Sequence, residues 1–242
     1  MKLREANPEV DRSYRQQAAT FFMKYKNWMK NVDKFAMILQ DKGFEWNVPG
    51  YYVLRASQID KQYQDLAIVI LASEEYLRKD SSATFGKLKF KGKSYNSIFL
   101  PLPYMLSKNI FVHEFIHYLD SIRFKKDFHT SAKSALYLDK GDIERYYLTP
   151  EEFNAYFQEG ANNIEEHIDE LGEVLKNILL SKFDSFVDSF ASNPKLRKEK
   201  KAEFFDDNFL QSMYLKNTKY KNKFRSRLYQ FFTHLRKKYD LQ

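Results

Sequence analysis

Two of the chain's five histidines, His113 and His117, stand four residues apart in the stretch FVHEFIHYLD, and Glu114 directly follows the first. On a helix that spacing stacks both imidazoles on one face, a turn apart, where they can grip a single cation. Glu114 is turned by about 100° from His113. Its carboxylate therefore falls beside a metal rather than on it. There it can take a proton from a water that the metal activates and pass it to a leaving amine. This is the chemical content of His-Glu-x-x-His on a helix. Two imidazoles leave such a site incomplete, and the chain has no cysteine, so the remaining ligand must be a histidine or a carboxylate. Asp120 and Arg123 occupy the positions where the extended zinc motif carries its glycine and third histidine.

A carboxylate from a second helix is the other solution, and TPEEFNAYFQEG at 149–160 is its source. Thr149 suits an N-cap and Pro150 a first helical position, and the helix dipole favours Glu151 and Glu152 in the first turn. The two glutamates point about 100° apart, so only one can face the metal. Glu152 is the preferred ligand. It shares a face with Ala155, whose small side chain permits close approach of another helix, and with Tyr156. Glu151 is the alternate, ahead of Glu159. Asp120 lies three residues past His117 and on the same face. It can hold the far nitrogen of a ligand histidine or pair with Arg123 on the helix surface. His129, in a polar loop, is the remaining competitor for a ligand position. His167, among acids, and His234, in a basic tail, receive no role.

These side chains need elements to carry them. Ser107 can cap a helix through NIFVHEFIHYLDSIRF. Ahead of it, ATFGKLKFKGKSYNSIFLPLP alternates about a Gly-Lys turn and reads as a hairpin over 84–101. A short strand is expected within 44–56. The run LAIVILA at 66–72 suits a buried strand or a buried helix, and a helix is expected. Apolar residues from Phe21 to Leu39 recur at threes and fours, giving a first helix from Pro8. The series Ile164, Ile168, Leu171, Leu175 and Ile178 extends the Glu152 helix to about Ser192. The stretch SNPKLRKEKK then forms a corner before a basic helical end. The expected class is α+β and predominantly helical, with three parts: an N-terminal helical segment (1–43), a central domain with the His and Glu helices beside a small mixed sheet (44–192) and a basic helical segment (193–242).

Composition narrows the setting. The net charge is +8, and the cations concentrate after Lys195. Mixed with aromatics over 195–239, they suit an anionic partner such as nucleic acid or an acidic protein, or simply an amphipathic helix with Tyr220, Phe224, Leu228, Phe231 and Leu235 on its apolar face. The longest apolar run is too short to span a bilayer, and the charged start has no signal-peptide pattern. The expected location is cytoplasmic, or the virion if the source is a phage.

HEFIH followed by EFNA at 152–155 resembles the gluzincin zinc metallopeptidases. HEFIHYLD with EFNA is most similar to the branch holding the anthrax lethal factor protease domain. EEFNAYF is similar to the ImmA/IrrE peptidases, and small phage-encoded HExxH proteins share the size and layout. The resemblance covers about residues 85–160. It implies a zincin-like core, one zinc ion on His113, His117 and Glu152, and peptide-bond hydrolysis with Glu114 as base and then acid. It also implies a tyrosine that stabilises the oxyanion, here Tyr146 with Tyr147 as alternate. Finally, it implies an edge strand that takes up extended substrate, either SIFLPLP or KLKFKGK. The competing class is a structural or nucleic-acid-associated protein, of a virion for instance, whose HExxH helix holds a metal without catalysis.

Overall fold

A computed structural model describes residues 8–30, 51–72, 83–124, 143–170, 205–206, 209–210, 212 and 218–239. Five α-helices, two single-turn 3-10 helices and a four-stranded mixed sheet make up the described regular structure, an α+β arrangement with more helix than strand. The chain divides into two units, residues 14–131 and residues 1–13 with 132–242.

The first unit is built on the sheet. Strands β1 (Tyr51–Arg55), β2 (Leu66–Leu71), β3 (Thr84–Phe90) and β4 (Lys93–Pro101) lie in the order β1-β2-β4-β3. β2 pairs antiparallel with β1 and parallel with β4, in the register Ile68↔Leu54 and Ile68↔Ile98. β3 and β4 form the expected hairpin. Its two-residue turn is Lys91–Gly92, one position before a Gly-Lys turn, and both residues have positive φ, 50° and 77°. That geometry matches the twist of the flanking strands and favours glycine at the second position.

The run at 66–72 forms a strand, against the expectation of a helix. Leu66 to Ile70 are all buried. A strand covered on both faces and paired on both sides loses its alternation and reads as a continuous apolar run. Its short length and β-branched residues are the signals that favour strand over helix. β4 is also internal, so SIFLPLP is no sheet edge. Among the described strands the edges are β1 and the Lys-rich β3.

Helix α1 (Pro8–Lys30) and helix α2 (Lys108–Phe124) complete this unit. α2 begins directly after Ser107, whose carbonyl accepts the Phe111 amide at 3.0 Å. The part of the first helix expected beyond Lys30 lies outside the described residues.

In the second unit α3 (Ile143–Tyr147) precedes α4 (Pro150–Glu170), and α5 (Thr218–Lys238) ends the described chain. Pro150 is the first residue of α4, and the Thr149 carbonyl accepts the Phe153 amide at 2.9 Å. The Thr149 hydroxyl turns back and donates to the Tyr146 carbonyl at 2.9 Å. Phe153, Phe157, Ala161, Ile164 and Ile168 of α4 share one core with Phe205, Phe209 and the α5 stripe Phe224, Leu228, Phe231 and Leu235. The extension of α4 to Ser192 and the corner near Pro194 lie outside the described residues. No described helix is long and apolar enough to cross a membrane.

Candidate metal centre

α2 carries two faces with the same i, i+4, i+7 spacing, about 200° apart around the axis. One is aromatic. Phe111 stacks on Tyr25 (4.9 Å between centroids), Phe115 stacks on Phe21 (5.1 Å), and Tyr118 meets Tyr63 edge-on (6.0 Å). The other face carries His113, His117 and Asp120. Both are inside the protein, since every residue from Phe111 to Ser121 is buried. The aromatic face explains why the helix forms there. Large rings bury much apolar area against α1 and the sheet, and that packing fixes where the opposite face points.

A polar tie sets the same rotation. The Tyr118 hydroxyl donates to Asp65 Oδ1 at 2.8 Å, and Asp65 Oδ2 accepts Asn96 Nδ2 at 2.7 Å. Asp65 lies at the mouth of β2 and Asn96 in β4, so one carboxylate fastens α2 to the ends of two central strands. Burial, followed by the neighbouring Asp65, pushes the Tyr118 hydroxyl far above its ordinary range, so it remains a donor. His113 and His117 lie with ring centroids 5.0 Å apart. Glu114 and Asp120 are buried too, while Arg123 is exposed, with its guanidinium 5.9 Å from the Tyr14 ring centroid.

On α4, Glu152 is buried in the first turn and Glu151 is partly exposed. His113, His117 and Glu152 each offer one ligand atom, and these atoms all lie within 4.8 Å of one another. This buried group can hold a metal ion. Its chemistry suits one: two imidazoles and a carboxylate form a donor set that divalent transition metals accept. Burying carboxylates and imidazoles together is costly, and a cation held by three of them offsets that cost. Glu151, Glu159 and Asp120 are not in the group, and His129 lies outside the described residues.

The tyrosines next to α4 differ in their commitments. Tyr147 is buried and donates to Asp206 Oδ1 at 3.0 Å, and the same oxygen accepts the Phe209 amide at 2.8 Å. Tyr146 is half-buried and packs edge-on against Tyr147 (5.3 Å) and Tyr156 (6.4 Å). Tyr156 lies one turn after Glu152 on the same face of α4. Burial first, then Tyr146, Tyr147, Glu152 and Asp206, hold its hydroxyl protonated far above the ordinary tyrosine range. Its spacing of four from Glu152 is the signal that marks it. Asp65, Asp206 and Arg227 carry no comparable local signal.

No family model, curated protein or solved structure matches the chain. The site is therefore defined by its own geometry: a buried two-histidine, one-glutamate group with a second glutamate, Glu114, next to His113 in the chain.

Proposed function

We propose that the chain is a zinc-dependent metallopeptidase, built as a zincin-like core and acting as an endopeptidase. One observation carries this reading: the ligand atoms of His113, His117 and Glu152 lie within 4.8 Å of one another in a buried setting, and His113 and His117 flank the glutamate that such chemistry requires as a base. A zinc ion held there supplies Lewis-acid polarisation and lowers the pKa of water. Glu114 takes the proton of the attacking water and delivers it to the departing amine, so one carboxylate serves both halves of the reaction. Asp120 holds a ligand imidazole in orientation from the same helix face. Tyr146 is the donor proposed for the developing oxyanion, six residues before Glu152, with Tyr147 as the alternate. The exposed edge of β3 is the surface proposed for an extended peptide.

The test is Glu114→Gln in the full chain. The variant should bind zinc as tightly as the parent and cleave a mixed peptide library on the order of a hundred- to ten-thousand-fold more slowly. A parent protein that binds no zinc, or a variant that cleaves equally well, would sink the reading.

The exposed face of α5, with Arg225, Tyr229, Lys237 and Lys238, supports an anionic partner in addition. Such binding must weaken between low and moderate salt.

A further inference from the structure

The basic C-terminal helix reads in sequence as an amphipathic helix with its cations away from the apolar face, yet one of those cations is inside the protein. Arg227 is only 8% exposed. Its Nη2 donates to Asn154 Oδ1 at 2.5 Å, and its guanidinium lies 4.2 Å from the centroid of Phe157 and 5.8 Å from that of Phe153. A guanidinium cannot shed its charge when buried. Its position is therefore stabilised by the planar contacts that it makes, the ring face and the amide oxygen. All three partners belong to the first turns of α4, immediately after Glu152.

That placement bears on a choice in the sequence. Glu151 and Glu152 differ by about 100° around α4, so the rotation of this helix decides which carboxylate is presented as a ligand. Phe153 and Phe157 fix one side of the helix in the core. That packing excludes large rotations of the helix. The hydrogen bond from Arg227 to Asn154 adds a directional requirement of its own, because it weakens steeply as its distance and angle depart from the favoured range. We infer that Arg227 is a positioning residue: it locks the rotation of α4 so that Glu152, rather than Glu151, is offered to the metal. The metal ligand set then depends on the C-terminal helix, although that helix contributes no ligand. This inference rests on the metal reading proposed above.

The experiment uses the full chain with Arg227→Met, which keeps the apolar stem and removes the charge and the donors. Zinc affinity is measured by competition with a chromophoric chelator, and the visible spectrum of the cobalt-loaded protein reports the ligand set. Far-UV circular dichroism of the metal-free protein checks folding. Arg227→Met should weaken zinc binding by about 10- to 100-fold and alter the cobalt spectrum, with the metal-free helix content unchanged. Arg227→Lys, which keeps a cation without the planar fork, should fall between. Arg225→Ala, at an exposed position of the same helix, should change zinc affinity less than about twofold. If Arg227→Met does not fold, Asn154→Ala decides, because it removes the same hydrogen bond at a half-buried position and should still shift the cobalt spectrum.

Unchanged affinity and spectrum in the folded Arg227→Met protein, or in Asn154→Ala where that variant decides, would overturn the inference while leaving the metal reading intact. His113→Ala tests that reading separately. If His113→Ala binds zinc as tightly as the parent, the metal reading fails and this inference fails with it.

Discussion

The two helices that carry the His113, His117 and Glu152 group are held in contrasting ways. α2 sets its own Phe111 and Phe115 against Phe21, Tyr25 and Tyr63 in an aromatic wall, and its two histidines lie one turn apart. α4 contributes one carboxylate to that group, near its own N-terminus, and the contacts that hold it come from far along the chain. Asn154 meets Arg227 across 73 positions, and Tyr147 meets Asp206 across 59. A motif carried by one helix needs only that helix to form and be buried. A ligand on a second helix needs that helix at the correct rotation as well, and long-range side chains set it.

The contrast is tested most severely by removing the wall. Phe115 is fully buried and touches Phe21, Tyr63, Phe111 and Tyr118. Phe115→Ala should cost about 3–5 kcal/mol in urea unfolding. A loss below about 1 kcal/mol would mean that the wall is not what holds α2 in place.

On the α4 side the corresponding test is an addition. Gly160 is buried in the helix, and a Cβ there would lie 2.0 Å from the Phe205 ring. Glycine is therefore kept for the close approach of an aromatic side chain. Gly160→Ala should destabilise by about 1–3 kcal/mol through overpacking. In a Phe205→Ala background the clash is gone, and the same substitution should stabilise by up to ~1 kcal/mol through helix propensity. Equal effects in both backgrounds would show that the close approach is not the reason for the glycine.

How much of this was legible in the chain follows the same division. His113, Glu114 and His117 declare themselves because helical spacing and chemistry coincide within five residues. Glu152 is legible because Thr149 and Pro150 mark where its helix begins and thereby set its place in the first turn. The hairpin is legible from its alternation and its glycine, to within one position. β2 is not, because a strand buried on both faces has no period to read. Arg227 is the clearest failure. Its neighbours Lys221, Lys223 and Arg225 are of the same charge, and nothing local distinguishes the one cation that turns inward. Only the fold brings Asn154 and Phe157 to it. Asp65 is hidden for the same reason, since Tyr118 is 53 positions away.

α2 and α3, the short helix that leads into α4, share one device, a tyrosine hydroxyl bound to a carboxylate that serves a second donor. Tyr118→Phe releases Asp65, and Tyr147→Phe releases Asp206. Each should cost about 1.5–3 kcal/mol in urea unfolding, the range for hydrogen bonds to charged groups. If the ties are equivalent, the two losses should agree within about 0.5 kcal/mol. A loss at Tyr118 alone would mean that α4 is held by Arg227 and its core without help from Asp206.

Tyr25 provides the contrast that these ties require. It is fully buried against Phe111, and its hydroxyl has no hydrogen-bond partner among the described residues. Removing an unsatisfied buried hydroxyl while keeping the ring forfeits little, so Tyr25→Phe should change stability by less than ~1 kcal/mol and can raise it. Burial pushes the Tyr25 hydroxyl well above the ordinary tyrosine value of about 10. The folded state therefore keeps a proton that the unfolded chain releases above about pH 10. The resulting contribution is fully present below pH 10 and is lost progressively as pH rises toward the folded-state value. Between pH 9 and pH 11 the urea midpoint of the parent should fall more steeply than that of Tyr25→Phe, while the two proteins remain nearly equal at pH 8. Parallel midpoints across that interval would show that this ring sits in a wetter place than its packing against Phe111 indicates.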